Sequence, residues 1–416
     1  MQKQLQTLKG FRDLLPAEKQ KRDYVEKKIV EVFGRYGFVP LETPTLEYAS
    51  LLLGKYGDEA DKLVYTFKDR GEREIGLRYD QTVPTARILS QYSGQLPKFF
   101  RRYQIQNVFR SDKPQKGRYR EFTQCDIDIF GTVSPIADAE ILACTYDSFL
   151  SLGFKKIKIV INDRQILLQT LRAFATEQVS VYSIIQSLDK LDKLTQKEVE
   201  TELIAKGLLA AKVSRVLETI SQAKVSPQLS EIIASAKNLG VPEEALVFSP
   251  TLARGLDYYT GMIFEVQLTN ITSSSLAGGG RYDQLIGQLS GSENVPAVGV
   301  AFGFDRIVEL AESLKLIPPL NATAQALVTI FAKSSITQSL ELAQKLRGQG
   351  ISVEVYPQAD KLGKQFKLAD QKKIPFALIL GEEEIKTNKI SLKNMQTGKQ
   401  ELLSFDQVLI QLKKIN

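Results

Sequence analysis

Four arginines stand where this sequence could meet a polyanion. Arg110 closes the run RRYQIQNVFR, Arg118 and Arg120 follow in the loop SDKPQKGRY, and Arg306 stands near a helix start. Planar guanidinium groups bind phosphate oxygens in pairs and stay charged at any relevant pH. Taken singly, each would serve as well on an ordinary protein surface. The run EFTQCDIDIF adds Gln124, Asp126 and Asp128 at alternate positions, so they share one face of a strand, which is either simply the wet face of an antiparallel sheet or the floor of a polar pocket. The chain contains no histidine. That removes Ser-His-Asp triads, histidine-based zinc sites and any acid–base step by a protein imidazole. The chemistry left is that of Arg, Lys, carboxylates, Tyr, Thr or a metal ion held by oxygen. Neither a GxxxxGK[ST] phosphate loop nor a GxGxxG after a strand is present, so a nucleotide would be held by side chains.

The elements that must position these residues follow from periodicity. Lys19 to Tyr36 reads as an amphipathic helix, with Val25, Ile29, Val32, Phe33 and Tyr36 at helical spacing and Gly37 ending it. Phe38 to Leu46, interrupted by Pro40 and Pro44, reads as irregular or edge strand. Two period-two runs between Phe100 and Phe130 predict an antiparallel hairpin, with Cys125, Ile127 and Ile129 facing the core. Residues from about 167 to 238 are rich in Leu, Lys, Glu and Ala and predict a helical insertion. Strands follow at GMIFEVQL and PAVGVAFGF around AGGGRYD, which reads as a loop, and then a helix from Asp305 to Leu314. After a linker near 316–324, alternating strand and helix patterns predict a compact α/β domain. Within it, the polar stretch Gly381–Lys399 reads as a hairpin before a last helix at Phe405–Ile415.

Length and composition bound the rest. At 416 residues two or three domains are expected. Apolar content of 43% with 25% charged residues is that of a soluble globular protein, and no apolar run approaches a membrane span. Cys125 and Cys144 are the only cysteines, which argues against a disulfide framework and fits a reducing cytoplasm. Residues 321–416 carry 14 Lys+Arg against 9 Asp+Glu, so +5 of the net +7 lies there. Such a basic terminal domain fits a polyanionic partner or a lysine-rich soluble surface.

Several blocks, taken in order, resemble one family. FRSDKPQKGRYREFTQCDIDIFG resembles motif 2 of the class II aminoacyl-tRNA synthetases in its histidyl version. GFRDLLP, the helix after it and YGFVPLETPTLE look like the N-terminal region and the dimer-forming motif 1. LRYDQT resembles a histidine-binding segment, RGLDYYTGMIFEV the block peculiar to histidyl-tRNA synthetases, and PAVGVAFGFDRI motif 3. The resemblance implies an α+β fold: an antiparallel six- or seven-stranded sheet flanked by helices over residues 1–320, with a helical insertion at about 167–238. An α/β anticodon-binding domain would occupy 321–416. It implies ATP, Mg²⁺, L-histidine and tRNA(His) as reactants and partners, a homodimer, and a place in the cytoplasm with no membrane. It also assigns roles to matching residues. Arg110 would hold the α-phosphate and the histidine carboxylate, and Arg118 and Arg306 the distal phosphates. Phe122 would lie under adenine. Asp80, Thr82 and Gln124 would receive the α-ammonium, while Asp128 and Tyr258 would bond the imidazole nitrogens and Tyr259 would complete the wall. Arg254 takes the place of the family's distinctive catalytic arginine. Ala277–Gly280 would admit a close approach of backbone to substrate, or simply form a turn. The resemblance names no metal ligand.

Two positions depart from the family pattern: Ser111 and Thr123 stand where histidine is frequent. The regulatory paralogue of ATP phosphoribosyltransferase shares the sheet but lacks the last domain and usually degrades the motifs. Here Arg110, Gln124, Arg254 and Arg306 are all present. A synthetase for another amino acid is opposed by RGLDYYTG, and a class I enzyme by the impossibility of writing its HIGH signature without histidine.

Overall fold

The helix Pro16–Arg35 opens on Pro16 at its first position, where a missing N–H costs nothing, and stops before Gly37 at φ +74°. Val25, Ile29, Val32 and Phe33 are all 0% exposed. At about 1.5–3 kcal/mol for each such side chain, this one apolar face is ample to seat the helix. In this computed structural model the described residues are 5–54, 61–113, 119–192, 194–254, 258–269, 271–291, 293–319 and 322–414. They fall into two compact units, Met1–Pro318 and Pro319–Asn416.

The helix seats on an eight-stranded sheet. Its strands are β1 (Val39–Pro40), β5 (Phe100–Phe109), β6 (Glu121–Phe130), β7 (Ile157–Asp163), β8 (Leu246–Phe248), β9 (Met262–Leu268), β10 (Thr272–Arg281) and β11 (Ala297–Phe302). The order is β1-β5-β6-β11-β10-β9-β7-β8. Six central strands are antiparallel, and the short strands β1 and β8 add a parallel pair at each edge. This accounts for eight strands where six or seven were expected. A separate three-stranded sheet joins β2 (Leu46–Tyr48), β3 (Thr66–Lys68) and β4 (Glu74–Leu77) in the order β2-β4-β3.

One face of the large sheet is apolar. Cys125, Ile127, Ile129, Phe264, Val300 and Phe302 pack there against helices Pro16–Arg35 and Pro135–Ser151. Between β7 and β8 lie the helices Arg164–Leu171, Val181–Leu188, Gln196–Ala205, Ala210–Ser221 and Pro227–Asn238. The last of these buries Leu229, Ile232 and Ala236 in that same apolar core; the other four share a second core with Val83, Tyr259 and Tyr282.

The segment AGGGR is not a loop. It is the end of β10, in the middle of the sheet between β9 and β11. Glycine disfavours strands because it has no side chain to pack, but here the missing side chains make room for neighbours described below.

The second unit is a five-stranded sheet of β12 (Ala326–Val328), β13 (Val353–Val355), β14 (Phe376–Ile379), β15 (Ile390–Asn394) and β16 (Gln400–Leu403), ordered β13-β12-β14-β15-β16. Helices Ile336–Gly348 and Phe405–Lys413 cover one face through Leu342, Leu346, Val408 and Leu412. Leu362–Gln371 covers part of the other through Ala369, against Leu327. Where a single hairpin was expected from Gly381, a short helix Glu382–Thr387 comes first, and the hairpin is β15–β16. The Gly381 N–H donates to Glu384 at 3.0 Å, closing a first turn too short to show periodicity.

Candidate active site

The opposite face of the large sheet is polar, and its register places the residues. On β5 and β6, Arg102, Gln104 and Gln106 stand directly across from Asp128, Asp126 and Gln124. Continuing from β6, Asp128 lies opposite Gly299 of β11, and Gly299 opposite Gly280 of β10. The next row runs Asp126, Ala301, Gly278, Glu265. Residues paired in this way share a face. The result is a trough of small residues, with Asp126 and Asp128 along one side and Glu265 along the other.

The glycines are sterically required. A Cβ on Gly278 would run into the Arg254 guanidinium, and one on Gly299 into the Asp128 carboxylate. Arg254 is held by Glu265, Nη1 to Oε1 at 3.0 Å, with its guanidinium 5.9 Å from the Tyr259 ring. The ring of Tyr258 lies 4.6 Å from that of Tyr259 and 6.0 Å from that of Tyr282. The Tyr282 hydroxyl donates to Asp128 Oδ1, and Arg102 Nη2 lies 2.7 Å from Asp128 Oδ2. Thus Asp128, Tyr258, Tyr259 and Arg254 are brought together around the trough.

LRYDQT borders it. Gln81 donates to the carbonyls of Gln106 and Gln124, at 3.2 and 2.9 Å, which fixes the turn against β5 and β6. Asp80, 8% exposed, accepts from Val83 N–H at the start of the helix Thr82–Gln91. Burial holds the proton affinities of Asp126, Asp128 and Tyr258 up, and the charge of Asp80 adds a little to each, so it lies within electrostatic reach of all three. Burial pushes Asp126 up to about 7, with Arg102 opposing and Asp128 adding to the rise. Burial also raises Asp128, again opposed by Arg102 and by the Tyr282 hydrogen bond. Gln124 donates to Asp126 Oδ2 at 2.7 Å.

Arg110 lies just past β5. Its Nε donates to the Tyr79 carbonyl at 3.2 Å, and its guanidinium lies 4.3 Å from the Tyr79 ring and 5.1 Å from the half-buried Phe122 ring. Such contacts orient a cation while leaving most of its donors free. Arg306 is exposed near the start of helix Phe304–Ser313 and donates to the Ser275 carbonyl at 3.2 Å. Arg118 lies outside the described residues. Arg120 donates to the carbonyls of Asp112 and Lys9, so it ties the loop's root to the N-terminal segment. The two departures are also engaged: Ser111 Oγ donates to Lys62 O, and Thr123 Oγ1 accepts from Arg22 and donates to Asn107.

Sequence reasoning missed Arg102, Tyr282, Glu265 and Asp305. Asp305 receives Arg12 and Arg22 and accepts from the Thr123 N–H, joining GFRDLLP to the pocket's second strand. The alternation of Arg102, Gln104 and Gln106 with Tyr103 and Ile105 was the available signal for a polar face on β5.

Comparisons with known proteins give the family. The family model described as histidyl-tRNA synthetase matches residues 10–307, and that of the anticodon binding domain matches 319–415. A histidine–tRNA ligase of Cytophaga hutchinsonii is 39% identical, covering 97% of this chain and 98% of its own length. One from Rhodopirellula baltica is 38% identical, over 95% and 94%. Among solved structures, histidyl-tRNA synthetase from a Nostoc species superposes with a TM-score of 0.85 at 29% identity, covering 99% of this chain and all of that one. A Bacillus halodurans protein titled ATP phosphoribosyltransferase regulatory subunit/histidyl-tRNA synthetase shares the fold, with a TM-score of 0.72 at 20% identity and 87% of this chain covered. By matched length, identity and motif order, this chain belongs to the histidyl-tRNA synthetase family.

Proposed function

We propose that this chain activates L-histidine with ATP to histidyl-adenylate and transfers the histidyl group to tRNA(His). The observation that carries this reading is the glycine-lined trough that gathers Asp128, a tyrosine cluster and Arg254 on one sheet face. Histidine brings a cation, an anion and a ring with two nitrogens, so its pocket needs carboxylates, arginine and a donor–acceptor pair. Asp80, Thr82 and Gln124 take the α-ammonium; Asp128 accepts from one ring nitrogen, Tyr258 donates to the other, and Tyr259 walls the ring. Arg110 and Arg254 hold the reacting carboxylate and α-phosphate. Phe122 stacks on adenine, and Arg118 and Arg306 take the distal phosphates.

A carboxylate oxygen of histidine attacks the α-phosphorus, the new P–O bond forms, and pyrophosphate leaves. Fixed guanidinium charge offsets the repulsion between the two anions where charge develops. In the second step a terminal ribose hydroxyl attacks the acyl carbon and AMP leaves. With no imidazole on the protein, the hydroxyl proton passes to a phosphate oxygen of the adenylate itself. Mg²⁺ belongs to this reading as part of the substrate MgATP, where it would neutralise phosphate charge and would need few protein ligands.

Residues 1–320 carry activation, the segment 111–119 meets the acceptor end, and 321–416 meet the anticodon. The active form is a homodimer. Leu46, Tyr48 and Phe67 are 43, 59 and 45% exposed on a sheet whose register aligns Tyr48 and Phe67 across Ile75, an apolar face suited to a second copy. A solution mass of one chain at micromolar concentration would refute it. No helix among the described residues is long and apolar enough to cross a membrane. Cys125 and Cys144 are buried free thiols, in keeping with the reducing cytoplasm this reading assigns.

The test is charging of tRNA(His) with labelled histidine by the full chain and by a chain ending at Pro318. The full chain should charge, with affinity falling as salt rises. The shortened one should form adenylate but lose most charging. Equal charging by both would remove the anticodon role from the basic unit.

A further inference from the structure

Arg102 has no place among the residues that touch substrate in the reading above, yet it is 1% exposed on the pocket face of the sheet. It stands directly across from Asp128, with Nη2 2.7 Å from Oδ2. Its Nε and Nη1 have no hydrogen-bond partner among the described residues, and neither has Asp128 Oδ2, so the two side chains meet as a close ion pair and not as a fork of aligned hydrogen bonds. The other oxygen of Asp128 accepts from the Tyr282 hydroxyl, and the missing side chain of Gly299 leaves the carboxylate its space. Asp128 is thus gripped from the strand beside it and from the residue after β10.

We propose that Arg102 is a positioning residue for amino-acid recognition: it holds Asp128 ionised and fixed beside the trough, so that the pocket takes an N–H from the neutral ring of histidine. This rests on Asp128 being the ring acceptor. Each carboxylate oxygen has more than one lone-pair site, so an engaged Asp128 still accepts from a ligand. The groups around it are Asp126 on its own strand, Asp80 before helix Thr82–Gln91, Tyr282 with Tyr258 against it, and Arg102. Of these Arg102 alone is a cation. Burial and Asp80 push the Asp128 proton affinity up; Arg102 and the Tyr282 hydroxyl bring it down. Without Arg102 the carboxyl would hold a proton to higher pH, and a protonated carboxyl presents a donor where the ring N–H needs an acceptor.

The test is histidine-dependent ATP–pyrophosphate exchange by the full-length protein. In the wild type, the acid limb of kcat/KM for the amino acid should follow the substrate ring, which titrates near pH ~6.5 in histidine. It should fall to lower pH with triazolylalanine. Arg102→Met should raise KM for histidine roughly tenfold or more, as expected for a weakened hydrogen bond to a charged group, with KM for ATP nearly unchanged. Its limb should rise by about one pH unit or more and stop following the analogue. Arg102→Lys should recover part of the affinity. The double variant Arg102→Met/Asp128→Asn, with no buried charge left unpaired, should recover thermal stability but not histidine affinity. It carries the test if Arg102→Met fails to fold. An unmoved limb with unchanged KM in Arg102→Met, or histidine affinity restored in the double variant, would overturn the assignment. Absence of histidine-dependent exchange in the wild type would instead sink the functional reading beneath it.

Discussion

The two units bury different kinds of polar residue. In the first, Arg22, Glu47, Arg78, Asp80, Arg102, Asp126, Asp128, Asp138, Asp163, Arg164 and Arg281 are buried; in the second, the buried polar residues described are Thr329, Ser335, Ser339, Gln365 and Ser391, none of them ionisable. Burying a charge is expensive unless it is paired, and a buried pair rarely stabilises more than apolar packing would. Pairs such as Arg281–Asp138 tie elements of the fold together, whereas Asp80, Arg102, Asp126 and Asp128 gather around the trough, and in our account their purpose is a zwitterionic small molecule. A unit that meets a polyanion needs its charge only outside, and the second unit's excess of lysine is arranged in that way.

The contrast breaks first at Arg281. It is 2% exposed and clamps the end of β10 to Asp138, which is 0% exposed and pushed up to about 6 by burial, with Arg281 opposing. Arg281→Met should cost about 3–5 kcal/mol in denaturant unfolding at and above neutral pH, because Asp138 is left buried without its cation and must either stay charged or take a proton. Its folded proton affinity then rises further above the unfolded value near ~3.9. The folded state consequently binds the extra proton, and the deficit should shrink as pH falls from 8 toward 5. A deficit independent of pH would show that the pair acts through packing alone.

Arg254 comes next and acts on rate. Arg254→Ala should lower adenylate formation roughly a hundredfold to a thousandfold while leaving the fold mostly intact, as for an oriented charge used in the transition state, with a smaller loss of histidine binding because Arg110 still holds the carboxylate. A rate within threefold of wild type would mean that the role carried over from the family does not belong to this residue.

In the second unit the matching change should be smaller. Gln365 accepts from Ile330 N–H and donates to the carbonyls of Ile330 and Asp360. Gln365→Met should cost about 1–3 kcal/mol, the loss of neutral hydrogen bonds, with no pH dependence. Histidine activation should be unaffected; an activation defect would show that the two units are coupled.

Much of this was legible in the chain. The alternation through Phe100–Phe130 placed Gln124, Asp126 and Asp128 on one face because a strand's period is fixed by backbone geometry. The order of motifs gave the architecture of the whole. What escaped was set by distant neighbours. AGGGR reads as a loop by local preference, but Arg254 and Asp128 need the space above Gly278 and Gly299, and that need overrides propensity. Arg102 looks like one more arginine until the register of β5 on β6 sets it against Asp128. Glu382–Thr387 is too short for any helical period to show.

In our account the charged trough of the first unit selects histidine. The most direct test is ATP–pyrophosphate exchange by the full-length protein with each standard amino acid in turn. The account predicts Mg²⁺-dependent exchange with L-histidine and little with any other. No exchange with histidine, or comparable exchange with several amino acids, would contradict it.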